Sequence, residues 1–201
     1  MLTYNRLAPS GALIQGQDVA LISGSDLTNS GTLRATNNLT ATATNLSNAG
    51  LNERISLLAT GSIRNAQGGI INGKNVSAIA RTGDVSNERT ITQQNRTGKD
   101  FSQLTSVVDS GARIEAANDL TLSAGRNIQN VGSAITAGGN VDLSAGNDVV
   151  IASAEAEDGM MRKDKRHFWS TTSTTQYGSE VQAGGDLAVS PTALEKANCP
   201  G

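Results

Sequence analysis

Apolar and polar residues alternate along two consecutive windows of the chain, 111–131 and 132–152. In the first window the apolar positions are Ile114, Ala116, Leu120, Leu122 and Ala124. A two-residue period is typical of a β-strand with one buried face, whereas a helix repeats its apolar positions about every 3.6 residues. Glycine, asparagine and aspartate, which favour turns, stand between the short runs. The pattern therefore predicts short strands separated by turns.

The second window repeats the first at a spacing of 21 residues, with Leu-Ser-Ala-Gly at both 122–125 and 143–146. A fixed period near 20 residues is the signature of stacked repeats. We therefore predict an all-β fold, a parallel β-helix (solenoid) of roughly 20-residue rungs. Equivalent residues should stack on one another, with alternate positions inside (Leu143) or outside (Thr136). The predicted columns place Ile114 over Ile135 and Leu122 over Leu143, and Val181 and Val189 continue them.

Departures from the repeat divide the chain into segments. Because the repeat resumes in register after residue 177, the interruption at 153–177 must leave and re-enter the body at nearly the same place. It is predicted to be a protruding loop or hairpin. The predicted segments are an irregular lead-in (1–10), β-helix repeats (11–87), an irregular rung or hairpin (88–110), further repeats with the inserted loop (111–190) and a tail (191–201).

Composition narrows the class of protein. The chain has only five aromatic residues and 22 glycines, which suits stacked small aliphatic side chains and frequent turns better than a globular core. Its net charge of −2 argues against a general nucleic-acid binder. No apolar run is long enough for a membrane-spanning helix, and residues 1–10 lack the apolar core of a signal peptide. The single cysteine, Cys199, allows no internal disulfide.

Catalytic and metal-binding patterns are weak. Polysaccharide-cleaving enzymes use paired carboxylates, but Asp119, Asp142 and Asp148 are expected in turns, where aspartate is common. One histidine and one cysteine make no zinc site, and Gly138-Gly-Asn-Val-Asp142 lacks the third glycine of a calcium-binding nonapeptide. We predict no enzyme activity, no cofactor and no metal. A carbohydrate-cleaving β-helix enzyme stays as an alternative.

Basic and aromatic residues meet in one place, within the interruption at 153–177. This combination suits an anionic partner such as lipid headgroups, lipopolysaccharide or glycan. The alternative is a solvated loop whose two aromatic rings fold back on the rod. The candidate contact residues are Arg162, Lys163, Lys165, Arg166, Phe168 and Trp169.

The phrases at 137–149 and 178–187 resemble the haemagglutinin repeats of filamentous haemagglutinin and of contact-dependent growth inhibition exoproteins. The resemblance covers residues 11–190 and includes the order of the two interruptions. It implies a right-handed parallel β-helix, exported through a dedicated outer-membrane transporter partner. The family's filaments serve adhesion to host or bacterial surface receptors, or deliver a carboxy-terminal toxin to neighbouring bacteria.

The chain departs from the full family pattern, because no amino-terminal secretion domain and no toxin are apparent in it. We therefore expect a shaft segment of a secreted or surface-exposed parent protein, with no signal peptide of its own. A membrane- or glycan-engaging module is the alternative from another class. Neither terminal stretch resembles a capping element, so the isolated segment is expected to associate end to end.

Overall fold

The computed structural model describes residues 13–29, 32–48, 51–52 and 55–191, and these ranges contain twenty-two β-strands and no helix. The all-β prediction is confirmed. The predicted lead-in and nearly all of the predicted tail lie outside the described residues. In chain order the strands are β1 (Leu13–Ile22), β2 (Leu27–Asn29), β3 (Thr32–Ala43), β4 (Leu46–Asn48), β5 (Leu51–Asn52), β6 (Ile55–Ala59), β7 (Ile63–Asn65), β8 (Ile70–Gly73), β9 (Val76–Ala80), β10 (Val85–Glu88), β11 (Ile91–Gly98), β12 (Phe101–Val108), β13 (Arg113–Ala116), β14 (Leu120–Ala124), β15 (Ile128–Val131), β16 (Ala134–Ala137), β17 (Val141–Ala145), β18 (Val149–Ala152), β19 (Ala154–Lys163), β20 (Phe168–Tyr177), β21 (Glu180–Ala183) and β22 (Leu187–Pro191).

Three parallel sheets account for most of the described strands. Sheet A has the order β1-β3-β6-β9-β14-β17-β22, sheet B the order β2-β4-β7-β10-β15-β18, and sheet C the order β5-β8-β13-β16-β21. From β3 to β21 the chain visits A, B and C in turn and then returns to A, so each of these passes adds one strand to every sheet. We call one such pass a coil and the three sheets together the rod. This arrangement is consistent with a parallel β-helix.

Register between coils follows the sequence repeat. Ile114 pairs with Ile135 and Leu122 with Leu143, as predicted. Val181 and Val189 continue the same two columns. Equivalent residues therefore stack along the rod, and aliphatic side chains of one coil lie next to aliphatic side chains of the next.

The core lies between the three sheets and is aliphatic. In β14 the alternation is strict, because Leu120, Leu122 and Ala124 are buried and Thr121 is exposed. Burying one such leucine contributes about 1.5–3 kcal/mol. The three sheets supply the largest fully buried side chains, which are Ile63, Ile71, Val76, Val85, Ile114, Leu120, Leu122, Ile128, Ile135, Val141 and Leu143.

A column of asparagines is buried along sheet B. Asn65, Asn87 and Asn130 are each at most 1% exposed. The Asn65 amide donates to Asn87 Oδ1 at 2.9 Å, and the Asn87 amide donates to Asn130 Oδ1 at 2.8 Å. The Asn87 amide also donates to the carbonyl of Ala134 at 3.0 Å, at the start of sheet C. The column therefore joins successive coils and holds the corner between sheets B and C.

Gly132 occupies that corner in the coil between β15 and β16. Its φ is +59°, and a Cβ atom added there would lie 2.5 Å from Cβ of Ala154. We expect Gly132→Ala to lower the free energy of unfolding by about 2 kcal/mol or more, because it combines left-handed backbone strain with a clash. Gly178→Ala is the matched control, since nothing lies within 4 Å of a Cβ there. Urea denaturation of both variants measures the difference, and equal stabilities would contradict this role of Gly132.

Both interruptions of the repeat are antiparallel hairpins. The first pairs β11 with β12 from Ile91–Val108 to Gly98–Phe101. The second pairs β19 with β20 from Ala154–Tyr177 to Lys163–Phe168. Each hairpin leaves the rod after a strand of sheet B and returns to a strand of sheet C, so both emerge at the same corner.

Candidate functional site

The two hairpins join into one four-stranded antiparallel sheet with the order β11-β12-β19-β20. The join pairs Phe101 with Arg162 and Leu104 with Gly159. Within the described ranges, strands β11 and β20 are exposed along almost their whole length, and no further strand joins the sheet. We call this structure the hairpin sheet. It is a single layer that presents side chains on both faces and two open edges.

Arg89 fastens the base of the hairpin sheet to the rod. Its Nη1 donates to the carbonyl of Asp109 at 2.6 Å, where the first hairpin ends. Its Nε donates to the carbonyl of Gly132 at 3.1 Å, in the coil between the hairpins. The guanidinium carbon lies 4.5 Å from the ring centre of Tyr177, the last residue of the second hairpin. One side chain thus contacts both hairpins and the coil between them, which favours a fixed position for the hairpin sheet.

A cationic and aromatic row crosses the outer end of the hairpin sheet. Arg162 pairs with Phe101 on one side and with Trp169 on the other. Residues paired on neighbouring strands share one face, so Arg162 lies between two aromatic residues. Phe101 and Trp169 are 43% and 53% exposed, and Met160 beside them is 55% exposed. These side chains line an open cleft of about 640 Å³.

The tip of the second hairpin is closed by Asp164. Its Oδ1 accepts hydrogen bonds from the backbone N–H groups of Arg166 and His167, both at 2.7 Å. These two bonds, with the Arg166 bond the larger cause, lower the pKa of Asp164 from its ordinary value of 3.8. The His167 ring stacks on Trp169, with ring centres 5.4 Å apart. The tip is therefore an ordered turn that supports the tryptophan.

Acid should loosen this turn. Because the folded pKa of Asp164 is lowered, its contribution is fully present above the ordinary value of 3.8 and is lost as the pH falls through the folded pKa. Amide hydrogen exchange of Arg166 and His167, compared between about pH 5 and pH 2 after correction for intrinsic rates, should show protection lost at the acid end. Asp164→Asn keeps a side-chain acceptor that does not titrate and should remove the pH dependence. An unchanged pH profile in that variant would contradict the assignment.

The structure brings only part of the predicted contact set together. Arg162 and Trp169 share one face, whereas Lys163 pairs with Phe168 on the opposite face. Lys165 and Arg166 lie in the turn at 164–167, and both are exposed. The interpretation in which both aromatic rings fold back on the rod is wrong, because Phe168 and Trp169 are 64% and 53% exposed at the far end of ten-residue strands.

Sequence reasoning missed Phe101 and Met160 as members of the cleft. Phe101 stands in the other hairpin, at the turn of a polar stretch, and the pairing of β12 with β19 brings it to Arg162. The isolated aromatic residue in a Thr- and Gln-rich stretch was the available signal. Without knowledge of the pairing, nothing connected it to residues 162–169.

The acidic residues in the described part of the chain do not assemble into a site. Asp119 lies in the turn before β14, as predicted, and its Oδ1 accepts a hydrogen bond from the Asn140 N–H at 2.9 Å. The prediction that Asp142 lies in a turn is wrong. It lies within β17, on the exposed face, because Val141 and Leu143 on either side of it point into the core. Within the described ranges, no three histidine, cysteine or carboxylate side chains come together as metal ligands would.

Comparison with protein families finds two matches. A haemagglutinin repeat model matches residues 2–106, about half of the chain, and a second hemagglutinin repeat model matches residues 94–167. No solved structure gives a significant match. The described residues also contain no helix that is long and apolar enough to cross a membrane.

Curated relatives are similar over most of the chain. A protein named tRNA nuclease CdiA from Escherichia coli O6:K15:H31 (strain 536) is 36% identical over 182 residues, which is 82% of this chain and 6% of the relative. A second tRNA nuclease CdiA, from Escherichia coli strain NC101, is 35% identical over 181 residues, 82% of this chain and 5% of that protein. A Toxin CdiA from Escherichia coli is 34% identical over 157 residues, 73% of this chain and 5% of the relative. The chain thus spans about one-twentieth of the length of these relatives.

Proposed function

Because the chain belongs to the haemagglutinin-repeat family of filamentous haemagglutinins and contact-dependent growth inhibition exoproteins, we propose that it is a shaft segment of such an exoprotein. In this proposal the rod is a right-handed parallel β-helix, and residues 11–87 and 111–190 are its repeat regions. The observation that carries it is the stacking of equivalent residues through three parallel sheets, in register across both hairpins. A structure built this way extends by adding coils, as a shaft must.

We propose that the parent protein is secreted or displayed on the cell surface, through an outer-membrane transporter, and acts in adhesion or in contact-dependent toxin delivery. The names tRNA nuclease and toxin are those of much longer relatives. For this segment we propose a structural role without catalysis. Release of reducing ends from polysaccharides by the purified chain would contradict that and favour the carbohydrate-cleaving alternative.

A segment exchange tests the shaft proposal. In the parent exoprotein, co-produced with its transporter, residues 11–190 are replaced by an equal number of repeats from elsewhere in the same protein. A shaft role predicts unchanged surface display and unchanged adhesion or delivery. Deleting the transporter is the control and should abolish display. Normal display with lost adhesion or delivery would show that this segment itself makes a specific contact.

End-to-end association of the isolated segment belongs to the same proposal. Among the described residues, β18, β21 and β22 end the order of sheets B, C and A. Val150 and Ile151 on β18 and Leu187 and Val189 on β22 are 40–49% exposed. Unpaired strand edges with apolar side chains favour association with another strand.

A second candidate function is engagement of a membrane, lipopolysaccharide or glycan by the hairpin sheet. The observation that favours it is the cleft in which Phe101, Met160 and Trp169 flank Arg162 at the end farthest from the rod. An exposed cation between aromatic rings suits an anionic headgroup or a sugar ring.

Binding to lipopolysaccharide and to anionic vesicles tests this candidate. Trp169→Ala and Phe101→Ala remove the cleft, and Phe168→Ala removes the ring on the opposite face. Binding through the cleft predicts loss in the first two variants and little change in the third. Thr174→Ala, on an exposed part of β20, is the control. Absence of binding by the unmodified chain would leave only the shaft role.

A further inference from the structure

The outer edge of β20 is a long strand edge without the usual protection. Natural edge strands are commonly short, carry charges or proline, or are covered. Strand β20 has ten residues, Phe-Trp-Ser-Thr-Thr-Ser-Thr-Thr-Gln-Tyr, with no charge, no proline and no glycine. Within the described residues its only strand neighbour is β19. Such a sequence has a high intrinsic tendency to pair with another strand.

The hydrogen-bond pattern shows which backbone groups of β20 are available. Along an antiparallel strand, successive residues direct their N–H and C=O groups to alternate sides. The Asp164 N–H donates to the carbonyl of His167 at 2.9 Å, so His167 faces β19. Pairing continues without a shift from Lys163–Phe168 to Ala154–Tyr177. The outward-facing backbone groups are therefore those of Phe168, Ser170, Thr172, Thr174 and Gln176.

The other open edge, β11, is less suited to pairing with a copy of itself. It has eight residues and contains Arg96 and Gly98. Two copies of β11 would place like charges close together and would include a residue that weakens strands. Two copies of β20 bring no charges together, and their serine and threonine side chains can pair across the strands.

The molecule already contains a join of this kind. Strands β12 and β19 come from different hairpins and meet edge to edge through four antiparallel pairs, from Phe101–Arg162 to Leu104–Gly159. Two β20 strands can form a longer join of the same type. In an antiparallel pair the two rods would lie at opposite ends of a strand about 34 Å long, so they would not collide.

We propose that β20 is a self-association edge: a second copy of this chain adds its own β20 in antiparallel orientation. The dimer has a two-fold axis near Thr172 and contains one continuous eight-stranded sheet between two rods. It uses the side of the molecule that bears the hairpins, and is therefore separate from association at the rod ends. In long exoproteins the same edge would connect neighbouring shafts side by side.

Analytical ultracentrifugation of the whole chain, with reductant present because of Cys199, tests the proposal. The Val189→Lys chain, in which a charge on β22 opposes association at the rod end, should show a concentration-dependent monomer–dimer equilibrium. Thr172→Pro removes an outward N–H that the hairpin does not use, and should weaken the dimer about tenfold or more. Thr172→Val keeps that N–H and should leave the dimer unchanged. Hydrogen exchange at β12 and β19 checks that the hairpin sheet persists in the proline variant.

Two further variants keep the test decisive. Thr172→Lys with Thr174→Lys should weaken the dimer at low salt and less so at high salt, because four ammonium groups meet. Val189→Lys alters the rod end and should leave this dimer intact. A Val189→Lys chain that stays monomeric at about 1 mM, equal dimerisation of Thr172→Pro and Thr172→Val, or an open series of larger species in the Val189→Lys chain would overturn the proposal.

Discussion

Leu143→Asp is expected to unfold the coils on both sides of the substitution. Leu143 is fully buried and pairs with Leu122 in one neighbouring coil and with Val189 in the other. Large-to-small changes at such positions cost about 2–5 kcal/mol, and an unpartnered carboxylate adds the cost of removing a charged group from water. Because coils contact only their neighbours, the loss should be concentrated in β14, β17 and β22. Hydrogen exchange resolved by strand measures this distribution.

Thr136→Asp is the control for that substitution. Thr136 lies in β16 on the side away from the core, paired with Glu115 and Gln182. The new carboxylate stays in water, and repulsion from Glu115 should cost only a few tenths of a kcal/mol. A similar loss of thermal stability in both variants would contradict the assignment of inner and outer faces.

Asn87→Leu is expected to have the second largest effect, although it replaces a polar residue in the interior by an apolar one of similar size. The leucine would leave Asn130 Oδ1 without its donor from Asn87 and would remove the donor that Asn87 offers to the carbonyl of Ala134. The Asn65 amide keeps the carbonyls of Gly69 and Arg113 as acceptors. Each buried polar group left unsatisfied costs about 1–3 kcal/mol. We therefore expect a loss of about 3 kcal/mol in the free energy of unfolding, measured by urea denaturation.

The same substitution on the outside of the rod provides the comparison. Asn72 is exposed in sheet C and donates to Glu115 Oε2 at 2.8 Å. Asn72→Leu removes a solvent-exposed hydrogen bond and should change stability by no more than about 0.5 kcal/mol. If Asn87→Leu proved equally mild, the asparagine column would not be a stabilising element.

The rod could be predicted from the sequence because the identities of its side chains repeat. Residues 111–152 contain two copies of one 21-residue pattern, and stacking of the copies alone places Ile114 on Ile135. The asparagine column was also present, since Asn65, Asn87 and Asn130 each follow two residues after an aliphatic residue that begins a strand of sheet B. The column was not recognised because asparagine is common in turns, so each of these asparagines could be assigned to a turn between two strands.

The hairpin sheet could not be predicted to the same depth. That residues 153–177 protrude followed from the resumption of the repeat, but the pairing of β12 with β19 rests on backbone hydrogen bonds. Backbone groups are the same at every residue, so this pairing leaves no recurrent pattern in the sequence. For the same reason only part of the cleft was predicted, namely Arg162 and Trp169. Phe101, on the other wall, belongs to a hairpin that starts more than sixty residues earlier.

The join between β12 and β19 fixes the number of coils that can lie between the two hairpins. One coil, containing β14, β15 and β16, separates the two exit points, and strands in a sheet lie about 4.8 Å apart. Inserting or deleting a single 21-residue unit within 111–152 would shift one hairpin by that distance relative to the other, so that the strands of the join no longer met. Elsewhere along the rod a duplicated unit would simply lengthen it. Evolution by gain and loss of repeats should therefore be free on either side of this pair of exits and forbidden between them.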